Sequence, residues 1–320
     1  MVKASDGSQP VVIVTGAGTG LGCAYALHLA ALGWRVVVNN RVRAGPDGAP
    51  LPSAAEAVVA AILAAGGEAI AQHDDVCADG AGQRMLDAAL GRWGRIDALV
   101  NNAGVDQHEP FHRIALQDFR RIMAVNFDGT VAVTQPIYQH LRAQGQGRIV
   151  VSVSSAGLHG LHGLTAYAAS KGALLAFMRS LAAEGAPRGV HCSAIAPYAA
   201  TRMTGPHLGD DLRQRMPPES VAPVVAALIR PLSRANGQTW VAGAGWVRRA
   251  SSVEWGEGFA VNDGLASHLD APIDAPVDAP IGQSAAVVPE RPREFSDALG
   301  AHSDFMASAQ QGLHPAWQSE

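Results

Sequence analysis

A chain of 320 residues with 48% hydrophobic and 16% charged side chains can bury a large core, and it is too apolar to be disordered. Its 24 basic and 28 acidic residues leave a formal net charge of −4, which gives no global attraction to nucleic acid or to an anionic membrane. Cys23, Cys77 and Cys192 lie far apart with no CxxC pair, so neither a disulfide framework nor a thiolate zinc site is expected, and a reducing compartment fits. Met1–Pro10 lacks the charged start and apolar run of a secretory signal, and no stretch reaches the about 18 apolar residues of a membrane span. The expected address is cytoplasmic.

Val11–Thr15 is a β-branched run of the kind buried on both faces of a sheet. A Gly-rich turn leads into an Ala-rich helix over Cys23–Leu32, which Gly33 is placed to end. Trp34–Asn39 reads as a second strand. Ser53–Ala65 reads as a helix capped by Ser53 and closed by Gly66-Gly67. Ala69–Gln72 is a third strand, Ala81–Trp93 a helix, and Ile96–Asn101 a fourth strand. Leu116–Leu141 reads as one long helix, Gly147–Val153 as a strand, Tyr167–Glu184 as a helix and Val190–Ile195 as a strand. Alternating β and α elements with short connections predict an α/β, doubly wound parallel sheet of Rossmann type, with helices on both faces.

The character changes near residue 260. The expected organisation is a single domain over residues 1–260 and a C-terminal extension over 261–320. Asp270-Ala271-Pro272 recurs as Asp274-Ala275-Pro276 and Asp278-Ala279-Pro280, a proline density that excludes a continuous helix and predicts an extended linker. Phe295–Gln311 then has the pattern of one amphipathic helix, either solvated or docked as an arm.

The turn after the first strand reads Thr15-Gly16-Ala17-Gly18-Thr19-Gly20-Leu21-Gly22. Glycines between a strand and a helix let the backbone turn tightly and approach a pyrophosphate, whose charge meets the helix N-terminus. The strand before and helix after raise this string above a plain turn. After the second strand, where an acidic residue reads the ribose of NAD, the chain has Asn40-Arg41. An arginine there suits the extra phosphate of NADP(H); the other reading keeps NAD(H), with Asn40 on the ribose and Arg41 solvated. Asp74-Asp75-Val76 ends the third strand, where one of the two carboxylates can accept from the adenine amino group or cap a helix. Asn102, Ala103 and Gly104 close the fourth, with small side chains that leave room for a flat ring.

Ser154, Tyr167 and Lys171 carry the chemistry. Tyr167 and Lys171 are four apart and share a helical face, so the ammonium, together with a cationic nicotinamide, is expected to stabilise the phenolate, whose usual pKa is near 10, and make Tyr167 an acid/base near neutrality. Ser154, or the adjacent Ser155, can hold the substrate oxygen. Taken in order, these pieces resemble the short-chain dehydrogenase/reductase family, over about residues 8–258 and with the serine 13 positions before the tyrosine. The resemblance implies an NAD(P)-dependent oxidoreductase in which Tyr167 protonates the substrate oxygen and Lys171 holds the nicotinamide ribose. It also implies that Asn126 anchors a proton-relay water and that Pro197–Thr201 binds the carboxamide edge. Ile195–Thr204, Pro218–Pro223 and Val241–Trp246 further resemble the family's (3R)-hydroxyacyl-CoA dehydrogenase branch, the unit carried by peroxisomal multifunctional enzymes type 2. The implied substrate is a ketone/alcohol pair, either a 3-oxoacyl thioester or a polyketide-type ketone, with a steroid or polycyclic ketone as the alternative. A homodimer or homotetramer through the long helices is implied too.

His108-Glu109-Pro110-Phe111-His112 fits the HExxH zinc pattern, but Pro110 disfavours the continuous helix that pattern needs, so no metal is expected. His159 and His162 sit between Ser154 and Tyr167 and are expected to wall the substrate. A non-catalytic cofactor-binding protein on the same fold is the competing class; retention of both Tyr167 and Lys171 argues against it.

Overall fold

Val11, Val12, Ile13 and Val14 form β1 (Val11–Val14), and all four side chains have no solvent exposure. Val11 and Ile13 pack into one core cluster while Val12 and Val14 pack into the other, so the run serves two layers at once. Each such side chain contributes about 1.5–3 kcal/mol through burial. The computed structural model describes residues 7–45, 47–204 and 209–251. The proposed linker, the Phe295–Gln311 helix and the whole segment 261–320 lie outside the described residues.

Around β1 stand β2 (Arg35–Asn39), β3 (Glu68–Gln72), β4 (Ala98–Asn101), β5 (Gly147–Ser152), β6 (Val190–Tyr198), β7 (Thr239–Gly243) and β8 (Trp246–Ala250). They form one sheet in the order β3-β2-β1-β4-β5-β6-β7-β8. Pairing is parallel from β3 to β7 and antiparallel between β7 and β8. One face is covered by α1 (Gly20–Ala31), α2 (Ala54–Ala64) and α9 (Ala222–Ile229), the other by α3 (Ala81–Trp93), α5 (Gly129–Gln144) and α7 (Thr165–Gly185). The expected doubly wound sheet is present. The Ser53 hydroxyl accepts from Glu56 N–H at 3.2 Å and caps α2, as the sequence implied.

Several elements differ from the sequence reading. The long helix over Leu116–Leu141 is two helices, α4 (Leu116–Met123) and α5, joined through a π turn at Ala124–Asp128. Within it, the Thr130 hydroxyl donates to the Asn126 carbonyl at 2.7 Å, a side-chain bond that competes with the regular helical ladder. Short helices α6 (Ser155–His159) and α8 (Asp210–Arg215), as well as β7 and β8, have no counterpart in the periodicity. β7 and β8 are joined by Ala244 (φ 51°) and Gly245 (φ 81°), both left-handed as a tight two-residue hairpin requires, and an alanine hides that turn from a reader seeking Asn-Gly. Among the described residues, no helix is long and apolar enough to cross a membrane.

Candidate active site

The chain winds from β1 outward to β3, then returns to β4 and winds the other way to β7. Loops leaving β1 and β4 therefore diverge, and a cleft opens beyond the carboxyl ends of the strands. Its volume is about 810 Å³. Gly16, Thr19, Gly20 and Leu21 line it after β1, and Asn40, Arg41, Asp75 and Val76 line it after β2 and β3. Asn102, Ala103 and Gly104 form its middle, and Tyr167, Lys171, Pro197 and Thr201 line its far end.

Five expected site residues do not line the cleft. Thr15 is buried, and its hydroxyl accepts from Asn102 N–H at 3.0 Å and Ala103 N–H at 3.1 Å, tying the β1 and β4 loops together. Gly18 lies against Asn40 and Ala54: a methyl group there would sit 2.7 Å from each. At Gly22 a methyl would come within 2.3 Å of the Gly16 carbonyl oxygen. These residues pack into the turn that shapes the cradle. Asn126 and Ser154 stand behind the lining.

Asn126 is fully buried in the π turn. Its Oδ1 accepts from Val105 N–H at 2.7 Å, while its Nδ2 donates to the Val105 carbonyl at 2.9 Å and to Ser170 Oγ at 2.9 Å. A methyl group at Gly104 would stand 3.2 Å from Asn126 Oδ1 and 3.6 Å from Lys171 Nζ, so amide and ammonium meet over the same face of this small residue. Ser154 caps α6 by accepting from Ala156 N–H at 3.1 Å and also hydrogen-bonds the Tyr167 phenol.

Lys171 Nζ donates to the Ser152 carbonyl at 2.7 Å and lies 5.7 Å from the Tyr167 ring centroid. Tyr167 and Lys171 share a face, and in the protein without cofactor burial dominates both groups. Burial pushes the Tyr167 phenol up to about 12, offset in part by the Ser154 hydrogen bond and reinforced by the Asp106 charge. Burial pushes the Lys171 amine down to about 8. The ammonium sits over the ring and against a carbonyl, so loss of water outweighs its pull on the phenol oxygen. In the protein alone Tyr167 is a phenol at neutral pH, ready to give a proton.

At the adenosine end Arg41 Nη1 pairs with Asp75 Oδ2 at 3.1 Å, joining two residues read separately in the sequence. Asn39 is buried; its Nδ2 donates to Gln72 Oε1 at 2.6 Å and to the Asp74 carbonyl at 2.9 Å. Asp74 in turn takes a bidentate contact from Arg84, whose guanidinium holds the carboxyl below its ordinary range. Arg43, Leu51 and Pro52 from the long β2–α2 connection also line the cleft. No periodic signal marks that connection.

The HExxH segment forms loop and turn, with Phe111 70% exposed. Its two histidines diverge: the His108 ring packs on Gly163, whereas His112 bonds Arg113. Among the described residues no cluster of three potential metal ligands occurs. His159 and His162, expected as substrate walls, are absent from the lining, which His108 joins instead. His159 ends α6 and His162 lies exposed in the following turn.

The family described as short chain dehydrogenase matches residues 10–210. The chain is a short-chain dehydrogenase/reductase. This short-chain dehydrogenase/reductase is 41% identical over 240 residues to peroxisomal multifunctional enzyme type 2 of Mus musculus, covering 74% of the chain and 32% of that enzyme. It thus spans about a third of that relative's length. It is 39% identical over 242 residues to a short-chain type dehydrogenase/reductase of Mycobacterium tuberculosis, covering 75% and 84%. It is 36% identical over 246 residues to a 3-oxoacyl-[acyl-carrier-protein] reductase of Synechocystis, covering 74% and 96%. Among solved structures, a short chain dehydrogenase from Mycobacterium avium superposes with a TM-score of 0.69 at 34% identity, covering 80% and 88%. A protein titled as an NAD(P) dependent gluconate 5-dehydrogenase of Beutenbergia cavernae, with NADP bound at low occupancy, gives 0.64 at 31%, covering 74% and 96%. The family assignment makes this protein an NAD(P)-dependent oxidoreductase acting on small molecules.

Proposed function

We propose that the enzyme interconverts a ketone and a secondary alcohol, with a 3-oxoacyl/3-hydroxyacyl thioester or a polyketide-type ketone as substrate. The observation that carries this reading is the pairing of Tyr167 and Lys171 at the far end of the cleft, Lys171 Nζ lying 5.7 Å from the Tyr167 ring centroid, with the Ser154 side chain acting on the phenol. The cleft fits a dinucleotide. Its volume is in the range of small-molecule sites, and Gly16 (φ 62°) brings its backbone so near Ala103 that a methyl would stand 2.8 Å from Ala103 Cα. Gly16, Thr19, Gly20 and Leu21 at the start of α1 hold the pyrophosphate; Asn40, Arg41, Asp75 and Val76 hold the adenosine. Asn102, Ala103 and Gly104 flank the middle, and Pro197 and Thr201 meet the carboxamide.

The bound nicotinamide supplies or accepts the hydride. In the reducing direction the substrate oxygen takes hydrogen bonds from Ser154 and Tyr167, and the phenol proton moves to that oxygen as negative charge develops on it. A phenol with a pKa of about 12 holds that proton throughout the neutral range. Lys171 uses one of three ammonium donors on Ser152, and the others serve the ribose hydroxyls and stabilise the tyrosinate left behind. Asn126 anchors the route by which a proton returns through Lys171.

NADP(H) is the favoured cofactor, through Arg41 and its neighbour Arg43, with NAD(H) the alternative. The reading also includes a homodimer or homotetramer through α5 and α7, and a cytoplasmic address for the enzyme. A panel of 3-oxoacyl thioesters and plain ketones, each assayed with NADPH and NADH by the loss of reduced-nicotinamide absorbance, tests this function. Consumption of cofactor in step with alcohol formed supports it. Conversion of substrate with no net change in cofactor overturns it.

A further inference from the structure

β6 leads into a turn that is closed by its own hydroxyls. Thr201 N–H donates to Thr204 Oγ1 at 2.9 Å, and Thr201 Oγ1 accepts from Met203 N–H at 3.2 Å and from Thr204 N–H at 3.3 Å. Thr204 Oγ1 donates to the Ala199 carbonyl at 2.5 Å, and Ala200 N–H donates to the carbonyl of buried Met216, just past α8, at 2.6 Å. The turn so held rests on the start of α1: a methyl group at Gly20 would stand 3.5 Å from Thr201 Cγ2. Thr201, Arg202 and Met203 line the cleft from this turn, as Gly16, Thr19, Gly20 and Leu21 line it from the glycine-rich turn.

The glycine-rich side has no cation of its own, because Thr15–Gly22 contains neither lysine nor arginine. The N-terminus of α1 presents only about half a positive charge, against a pyrophosphate with a full negative charge on each phosphate. Arg41, Arg43, Arg121 and Arg202 line the cleft. Arg41 is paired with Asp75 at 3.1 Å, and Arg121 is held by Gln107 at 2.8 Å and Asp118 at 3.6 Å. Arg43 stands on the β2–α2 connection at the adenosine end, where its carbonyl accepts from Leu51 N–H at 2.7 Å. Arg202 is exposed, and among the described residues no hydrogen bond or ion pair occupies its guanidinium. It is the arginine carried by the turn that touches α1. A planar guanidinium there can take two phosphate oxygens at once.

We infer that Arg202 is a cofactor-binding residue that meets the pyrophosphate of the dinucleotide from the β6 turn, supplying the cation that the glycine-rich turn lacks. This rests on the dinucleotide reading of the cleft given above. Isothermal titration of the parent, Arg202→Gln and Arg202→Lys tests it with NADPH, NADH, ADP-ribose, which keeps the pyrophosphate without the nicotinamide, and adenosine 2′-monophosphate, which lacks the pyrophosphate. Arg202→Gln should weaken NADPH, NADH and ADP-ribose alike by about tenfold and leave adenosine 2′-monophosphate unchanged. Arg202→Lys, which keeps the charge without the fork, should fall between. Circular dichroism reports whether the fold survives in both variants. Unchanged dinucleotide affinity, a loss confined to NADPH, or an equal loss for adenosine 2′-monophosphate overturns the inference. A higher KM for a coenzyme A thioester with cofactor affinity unchanged overturns it too, by giving Arg202 to the phosphates of the substrate. Failure of the parent to bind any dinucleotide removes the function itself, and the inference with it.

Discussion

Replacing Lys171 by methionine separates stability from catalysis. Lys171 is 4% exposed, and burial lowers its pKa from 10.5 to about 8. That shift corresponds to about 3 kcal/mol of destabilisation at neutral pH, because folding strips water from an ammonium that the unfolded chain solvates. Methionine fills much the same space, removes the charge and gives up the 2.7 Å bond to the Ser152 carbonyl, a loss of about 1 kcal/mol. The net expectation at pH 7 is a variant about 2 kcal/mol more stable, or about 4–8 °C higher in Tm. Below pH about 8 the lysine is charged in both folded and unfolded chains, so the whole penalty is present. Between about 8 and 10.5 the unfolded chain binds more protons, so the stability of the parent rises with pH and the advantage of the variant disappears, leaving only the lost Ser152 bond, about 1 kcal/mol in favour of the parent. Chemical denaturation of both proteins across that pH window, without cofactor, is the assay. A variant less stable at pH 7, or a gap that does not close with pH, refutes the argument that the ammonium is held at a cost to folding. Oxidoreductase activity should fall by at least about a hundredfold in the same variant.

Two further substitutions probe the cofactor cradle. Gly22→Ala places a methyl 2.3 Å from the Gly16 carbonyl, so the turn must shift; isothermal titration should show cofactor affinity weakened more than tenfold, about 1.4 kcal/mol or more. Binding equal to that of the parent would mean the turn does not set the site. Asp75→Asn removes the carboxylate that pairs with Arg41 at 3.1 Å, and the guanidinium becomes available to a phosphate. Because the pair is exposed, the expected gain in affinity for NADPH over NADH is only about two- to fivefold. A shift toward NADH would reverse the role given to Arg41.

Much of the fold was legible because it rests on local patterns. The β1 run of Val11–Val14 is apolar at every position since both faces are covered, and Ser53 begins its helix with the expected cap. The β-α alternation was enough to predict a cleft at the strand ends, and the four-residue spacing of Tyr167 and Lys171 marked the pair that lines it. What stayed hidden depends on contacts distant in sequence. The wall at 105–109 is set by Asn126 and Gly163, neither of them neighbours in the chain. The Arg41–Asp75 pair joins loops 34 residues apart. The upward shift of Tyr167 in the cofactor-free protein was hidden for a related reason: spacing shows how near Lys171 lies, but not how much water both groups lose. The packing of Gly18 against Asn40 and Ala54, and of Gly22 against the Gly16 carbonyl, was hidden likewise, since a motif string does not say which neighbours each glycine meets.

The central claim is that the Tyr167 hydroxyl moves the proton. Tyr167→Phe deletes that single atom, and the decisive measurement is single-turnover reduction of a ketone by prebound NADPH, with cofactor affinity measured alongside. The account predicts hydride transfer slowed by about a hundred- to ten-thousand-fold with cofactor affinity unchanged. Hydride transfer at the parent rate would contradict it.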